Sequence, residues 1–65
     1  MDESPELREL FHQLNNQLAV LLAHAELIEA KAGDDSTRAR AVQIVTSALD
    51  ALASVKSIRL TLSSQ

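Results

Sequence analysis

The chain has 65 residues, a formal net charge of −3 and no cysteine. This length allows one small domain, and without disulfides or thiolate metal sites such a domain is expected to gain stability by oligomerising. An acidic chain whose single aromatic residue is Phe11 is unlike nucleic-acid-binding proteins, which carry a basic face and often stacking aromatics.

No membrane, targeting or metal-binding segment is expected. No apolar run approaches the roughly 20 residues that cross a bilayer, and the acidic start, Asp2 and Glu3, differs from a signal peptide. His12 and His24, the two histidines, are too far apart in sequence for the i, i+4 pair of a helical metal site. We therefore expect a cytoplasmic protein with no cofactor and no metal.

Helix one is predicted over residues 5–32. Ser4 and Pro5 have the character of an N-cap followed by a first-turn proline. Apolar side chains then follow at alternating steps of four and three, which is the pattern of a packed helix. These side chains are Leu7, Phe11, Leu14, Leu18, Leu21, Ala25, Ile28 and Ala32.

The turn is predicted over residues 33–36 and helix two over residues 37–62. Gly33 is expected to end helix one as its C′ residue, and Asp34, Asp35 and Ser36 are candidate caps for helix two. Two apolar stripes run along helix two, so its apolar face is broad. The first is Ala41, Ile44, Ala48, Ala51, Val55, Ile58 and Leu62, and the second is Val42, Val45, Leu49 and Leu52.

A short turn between two long helices predicts an antiparallel hairpin, hence an all-α fold. One hairpin cannot cover apolar faces this wide. Two hairpins together form a four-helix bundle with a continuous core, so we expect a homodimer. The alternative is an extended helical array with other partners.

The candidate site is an amide-rich run around His12. With Phe11 and Leu18 at heptad position a and Leu14 at d, His12 falls at b and Asn16 at f, both on the flank of the helix. An exposed neutral imidazole is a competent nucleophile toward phosphorus. An amide one turn away can orient water or a phosphoryl oxygen. The alternative is an ordinary solvated histidine.

The segment Phe11–Glu29, FHQLNNQLAVLLAHAELIE, resembles the first helix of a histidine-kinase dimerisation and histidine phosphoacceptor domain. The family's usual pattern is a histidine, an acidic residue, an aliphatic residue, a polar residue and then Asn or Thr. His12 matches the phosphoacceptor position, Leu14 the aliphatic position and Asn16 the Asn or Thr position. The resemblance implies a two-component signalling module with a response-regulator receiver domain as its partner.

The chain departs from that family pattern beside the histidine. Gln13 replaces the acidic residue that is taken to accept the imidazole proton during autophosphorylation. An amide can accept a hydrogen bond from the ring and orient it, but it cannot act as a general base. Gln17 stands where the family commonly has proline, so no kink is expected.

We therefore expect His12 to exchange a phosphoryl group with a receiver aspartate, with Gln13 orienting the ring and Asn16 positioning phosphate or water. No glycine-rich phosphate loop or α/β pattern is present, so autonomous kinase activity is not expected. The chain is then a kinase fragment, a stand-alone phosphotransfer protein or a degenerate bundle that only binds. The alternative function is a non-catalytic dimerisation or adaptor bundle that binds a receiver or another signalling partner.

Overall fold

The computed structural model describes residues 4–63, which form two helices joined by a three-residue turn. Helix α1 spans Pro5–Lys31 and helix α2 spans Asp35–Ser63. The helices pack against each other along their length, and the hairpin measures 49 × 17 × 10 Å. The prediction of an all-α hairpin is confirmed. The predicted domain also included residues 1–3 and 64–65, which lie outside the described residues.

The start of α1 is capped as its sequence predicts. The Ser4 hydroxyl oxygen accepts a hydrogen bond from the Leu7 backbone N–H at 3.0 Å, and the Arg8 N–H donates to the Ser4 carbonyl at 3.0 Å. Pro5 takes the first helical position, where its missing N–H costs no hydrogen bond. The cap provides hydrogen-bond partners for backbone N–H groups at the start of α1. The amide-rich segment around His12 therefore lies on a helix with a well-defined start.

Helix α1 ends at Lys31 with Ala32 as its C-cap, so Gly33 is the C′ residue that the sequence predicts. The chain leaves the helix at Ala32, whose extended backbone has φ −62° and ψ 129°, and Gly33 does not adopt a positive φ. The Ala32 N–H donates to the Glu29 carbonyl at 3.4 Å, and the Arg38 guanidinium donates to the Ala32 carbonyl at 3.1 Å. A side chain from α2 therefore bonds a carbonyl at this helix end, without a left-handed glycine.

Helix α2 begins two residues earlier than predicted because Asp34 is its cap. The Asp34 carboxylate accepts a hydrogen bond from the Thr37 backbone N–H at 3.1 Å. Hydrogen bonds from the side chain and backbone of Thr37 hold the pKa of the Asp34 carboxyl below its ordinary value. The helix-stabilising effect of this cap is thus present when the carboxylate is ionised and declines as the pH falls through its lowered pKa.

Replacing Gly33 with alanine is expected to raise the free energy of unfolding by about 0.4–1 kcal/mol, because alanine restricts the unfolded chain. The native backbone at Gly33 has no positive φ, and an added Cβ meets no atom within 4 Å. Chemical denaturation of Gly33→Ala and wild type at equal protein concentration measures the change. A clear loss of stability would instead indicate a left-handed backbone at Gly33, which an alanine adopts only with strain.

The contact between the helices, here called the seam, uses a different pair of heptad positions from the predicted one. Positions a and d were expected to pack, but α1 turns its a and e positions toward α2. Leu22, at e, is half-buried, whereas Leu21, at d, is exposed. The buried side chains of the seam are Phe11, Ala25, Ala41, Ala48 and Val55.

The d positions lie together on one side of the hairpin, here called the open face. In an antiparallel pair that packs through a and e, the d positions of both helices fall on the same side. A shallow groove at the turn agrees with this arrangement, because it is lined by Ile28 of α1 and Thr37 of α2. Thr37 is also a d position, since it lies one heptad before Ile44. The large open-face residues are 41–56% exposed. They are Leu14, Leu21, Ile28, Ile44 and Ile58.

The exposed area of the hairpin is large for its mass. It exposes 4975 Å², about 900 Å² more than size scaling gives for a compact protein of 7.1 kDa. One subunit of a standard protein–protein interface buries roughly 800 Å². A single layer of two helices therefore leaves enough surface uncovered for a partner of comparable size.

Helix α2 is long and apolar enough to cross a membrane by length and composition alone, and 17% of its most apolar 18-residue stretch is buried. A core helix of an oligomer passes the same test, because its apolar residues are covered only when the assembly forms. The structure does not test whether the protein binds a membrane or lies in the cytoplasm, so both statements stay predictions.

Candidate functional site

The candidate site is centred on His12, which lies in the second turn of α1 and is exposed to solvent. Position b places it on the side of the hairpin opposite the open face. Within residues 4–63 its imidazole has no hydrogen bond or ion pair. Both ring nitrogens are therefore accessible to a reactant on a rigid helical support.

Gln13 turns away from the imidazole, because successive side chains on a helix point in different directions. Its side-chain N–H₂ group donates to the Glu9 carboxylate one turn earlier, at 3.5 Å. The Gln13 amide oxygen has no partner in the described part of the chain. The proposed role of Gln13 in orienting the ring stays a prediction.

Asn16 lies one turn beyond His12 and is exposed, on the same flank of α1 because residues four apart are neighbours on a helix. His24 lies far from this pair, beside Lys31 and Ile28 in the groove at the turn. The structure thus brings His12 and Asn16 to one flank and leaves His24 elsewhere. Among residues 4–63, no group of three or more His, Asp or Glu side chains is placed to hold a metal ion.

A second group of polar residues, which sequence reasoning did not assign, lies beside His12. It lines a groove between α1 and α2, here called the basic groove. Asn15 lines it from α1, and its position e on the edge of the seam was the available sequence signal. Which α2 residues face Asn15 depends on how the two helices align across the turn, so the sequence alone does not identify them. The residues that line the basic groove are Asn15, Leu52, Lys56, Arg59, Leu60 and Ser63.

Arg59 connects the basic groove to the start of the candidate site. Its guanidinium carbon lies 5.7 Å from the centre of the Phe11 ring, within the range of a cation–π contact. Phe11 is buried in the seam and directly precedes His12. The contact therefore aligns the end of α2 with the second turn of α1.

Comparison of the chain with protein-family models, curated proteins and solved structures finds no match. Membership of the histidine-kinase phosphoacceptor family and the functions that it implies are therefore proposals. They depend on the residues of the run around His12 and on its placement in the hairpin.

Proposed function

We propose that this chain is a two-component phosphotransfer module whose His12 exchanges a phosphoryl group with an aspartate of a receiver domain. The observation that carries the proposal is the exposed imidazole without a hydrogen bond in residues 4–63, set on a capped helix within the motif of Phe11–Glu29. The flanking Asn16 agrees with the family pattern and lies one turn away on the same flank.

The proposed reaction needs an activated donor, because Gln13 supplies no carboxylate base. An aspartyl phosphate is such a donor. A neutral imidazole nitrogen of His12 forms the new P–N bond while the P–O bond to the donor carboxylate breaks. The donor leaves as a carboxylate, and the proton on the other ring nitrogen passes to water. In this proposal the Asn16 amide donates a hydrogen bond to a phosphoryl oxygen.

The functional unit in this proposal is a homodimer. Two hairpins that join through their open faces cover the leucine and isoleucine side chains of both helices and form a four-helix bundle. His12 remains outside that interface because it lies on the opposite side of the hairpin. The excess exposed area of the single hairpin supports this assembly.

One observation favours a second candidate, a non-catalytic adaptor bundle. The residue after His12 is an amide whose N–H₂ group is engaged by Glu9, so the usual acid–base partner of the histidine is absent at that position. Such an adaptor keeps partner binding when His12 is replaced by alanine and forms no phosphohistidine.

The test is phosphotransfer to the intact protein from a panel of phosphorylated receiver domains and from acetyl phosphate. Wild type is expected to gain an acid-labile, base-stable phosphoryl group, and His12→Gln is expected to gain none. His24→Gln is the matched control because the same substitution is made at an exposed histidine distant from the site, and it should be labelled like wild type. Absence of label in wild type with every donor would refute the phosphotransfer proposal.

A further inference from the structure

The basic groove has the lining of an anion site. Lys56 and Arg59 from α2 and Asn15 from α1 supply nitrogen donors, Ser63 supplies a hydroxyl group, and Leu52 and Leu60 complete the lining. Among residues 4–63, no carboxylate lines the groove. Arginine and lysine with a neighbouring amide form a typical donor set for phosphate oxygens.

The groove lies next to His12. Arg59 is placed over the Phe11 ring, and the helices are antiparallel, so Lys56, one turn before Arg59, lies level with the residues that follow Phe11. Asn15 lines the groove together with Lys56. His12 is three residues before Asn15, and residues three apart are neighbours on a helix surface. A group attached to the imidazole is therefore at the edge of the groove.

The local charge is positive although the whole chain is acidic. Within the described residues the Lys56 ammonium has no ion pair, and Arg8 lies one turn before His12 on α1. Glu9, three residues before His12, is an acidic neighbour on the same helix surface, and its carboxylate accepts a hydrogen bond from Gln13. Lys56 and Arg8 outnumber this one carboxylate. The cations beside His12 thus favour a dianionic group there.

We propose that the basic groove binds the phosphoryl group carried by His12, with Lys56 and Arg59 as the cationic ligands and Asn15 as an amide donor. This inference rests on the proposed phosphotransfer function and extends it to residues of the second helix. In the free protein the same groove binds inorganic phosphate, since the two ligands share their phosphoryl oxygens.

The test is titration of the intact, isotope-labelled protein with inorganic phosphate, followed by amide chemical shifts. Saturable shifts are expected at the Asn15 side chain and around Lys56 and Arg59. Lys56→Gln should weaken phosphate binding about tenfold, the effect of losing a charge-assisted hydrogen bond. Lys31→Gln is the matched control because it removes the same charge at the turn end of the hairpin, and its affinity should equal that of wild type.

Equal shifts around Lys31, Arg38 and Lys56 would overturn the proposal, because they indicate non-specific attraction. An unchanged affinity in Lys56→Gln would also overturn it. If Lys56→Gln fails to fold, the wild-type protein alone provides the test: shifts confined to the basic groove support the proposal, and equal shifts at the distant basic residues refute it. Phosphate binding in the groove without any labelling of His12 would retain the anion site and refute phosphotransfer. Labelling of His12 without groove shifts would retain phosphotransfer and refute the groove.

Discussion

Replacing Leu21 with glutamate is expected to dissociate the proposed dimer. Leu21 lies in the middle of the open face and is 56% exposed in the single hairpin, and the interface of the proposed four-helix bundle would bury it. Burial of a whole leucine contributes about 1.5–3 kcal/mol, so burial of this exposed part contributes about 0.8–1.7 kcal/mol in each of the two subunits of the proposed dimer. The two introduced carboxylates would in addition have to leave water. The dissociation constant should therefore rise at least about 100-fold, which sedimentation equilibrium over a range of concentrations measures.

The matched control for this prediction is Leu49→Glu. Leu49 is 51% exposed, close to the value for Leu21, and lies at position b of α2, on the side of the hairpin opposite the open face. The two variants therefore add the same charge in place of the same side chain on opposite sides of the hairpin. A dimer that tolerates Leu21→Glu as well as Leu49→Glu would contradict assembly through the open face.

Replacing Ala41 with leucine is expected to destabilise the hairpin itself. Ala41 is 1% exposed and lies in the seam, which also contains the buried Ala25 and Ala48. These small side chains let the helix axes approach closely, so three added carbon atoms force the helices apart. Overpacking of this kind costs about 1–3 kcal/mol, and each kcal/mol lowers the Tm of a domain this small by about 4–8 °C.

Ala39→Leu is the control for the seam prediction because Ala39 lies on α2 and is exposed. It makes the same substitution outside the contact, and its stability should stay within about 0.5 kcal/mol of wild type. Thermal unfolding by circular dichroism, at one protein concentration for all variants, compares them. Equal melting temperatures for Ala41→Leu and Ala39→Leu would contradict the seam that the structure describes.

The sequence was sufficient to predict the hairpin because its local signals agree. Ser4 and Pro5 define the start of α1, and the apolar spacing extends to the turn. The position of the end of α1 was predicted correctly, since Ala32 is the C-cap and Gly33 is the C′ residue, but its hydrogen bonds were not. The Arg38 guanidinium bonds the Ala32 carbonyl, a contact between residues on opposite sides of the turn that local pattern rules do not include.

The rotation of the helices could not be predicted, because the apolar face of α1 is wide enough to pack in more than one way. Heptad spacing shows that Leu21 and Leu22 both border position a, but not which of them faces α2. Small buried residues such as Ala25 and Ala41 permit close approach with the a and e positions inward. That rotation leaves the d positions on the open face.

The candidate site was predictable only in part for the same reason. His12 and Asn16 are on one helix, so their spacing alone places them on one flank. Lys56 and Arg59 belong to the other helix, and their height relative to His12 depends on the length of the turn. Since α2 begins two residues earlier than predicted, sequence alone did not align these cations with the second turn of α1.

The molar mass of the wild-type protein in solution tests the central claim, that this hairpin is half of a four-helix bundle supporting an exposed phosphoacceptor. Light scattering at micromolar concentrations is expected to give twice the 7.1 kDa chain mass, with a melting temperature that rises with protein concentration. A stable, cooperatively folding monomer at 7.1 kDa would contradict the claim.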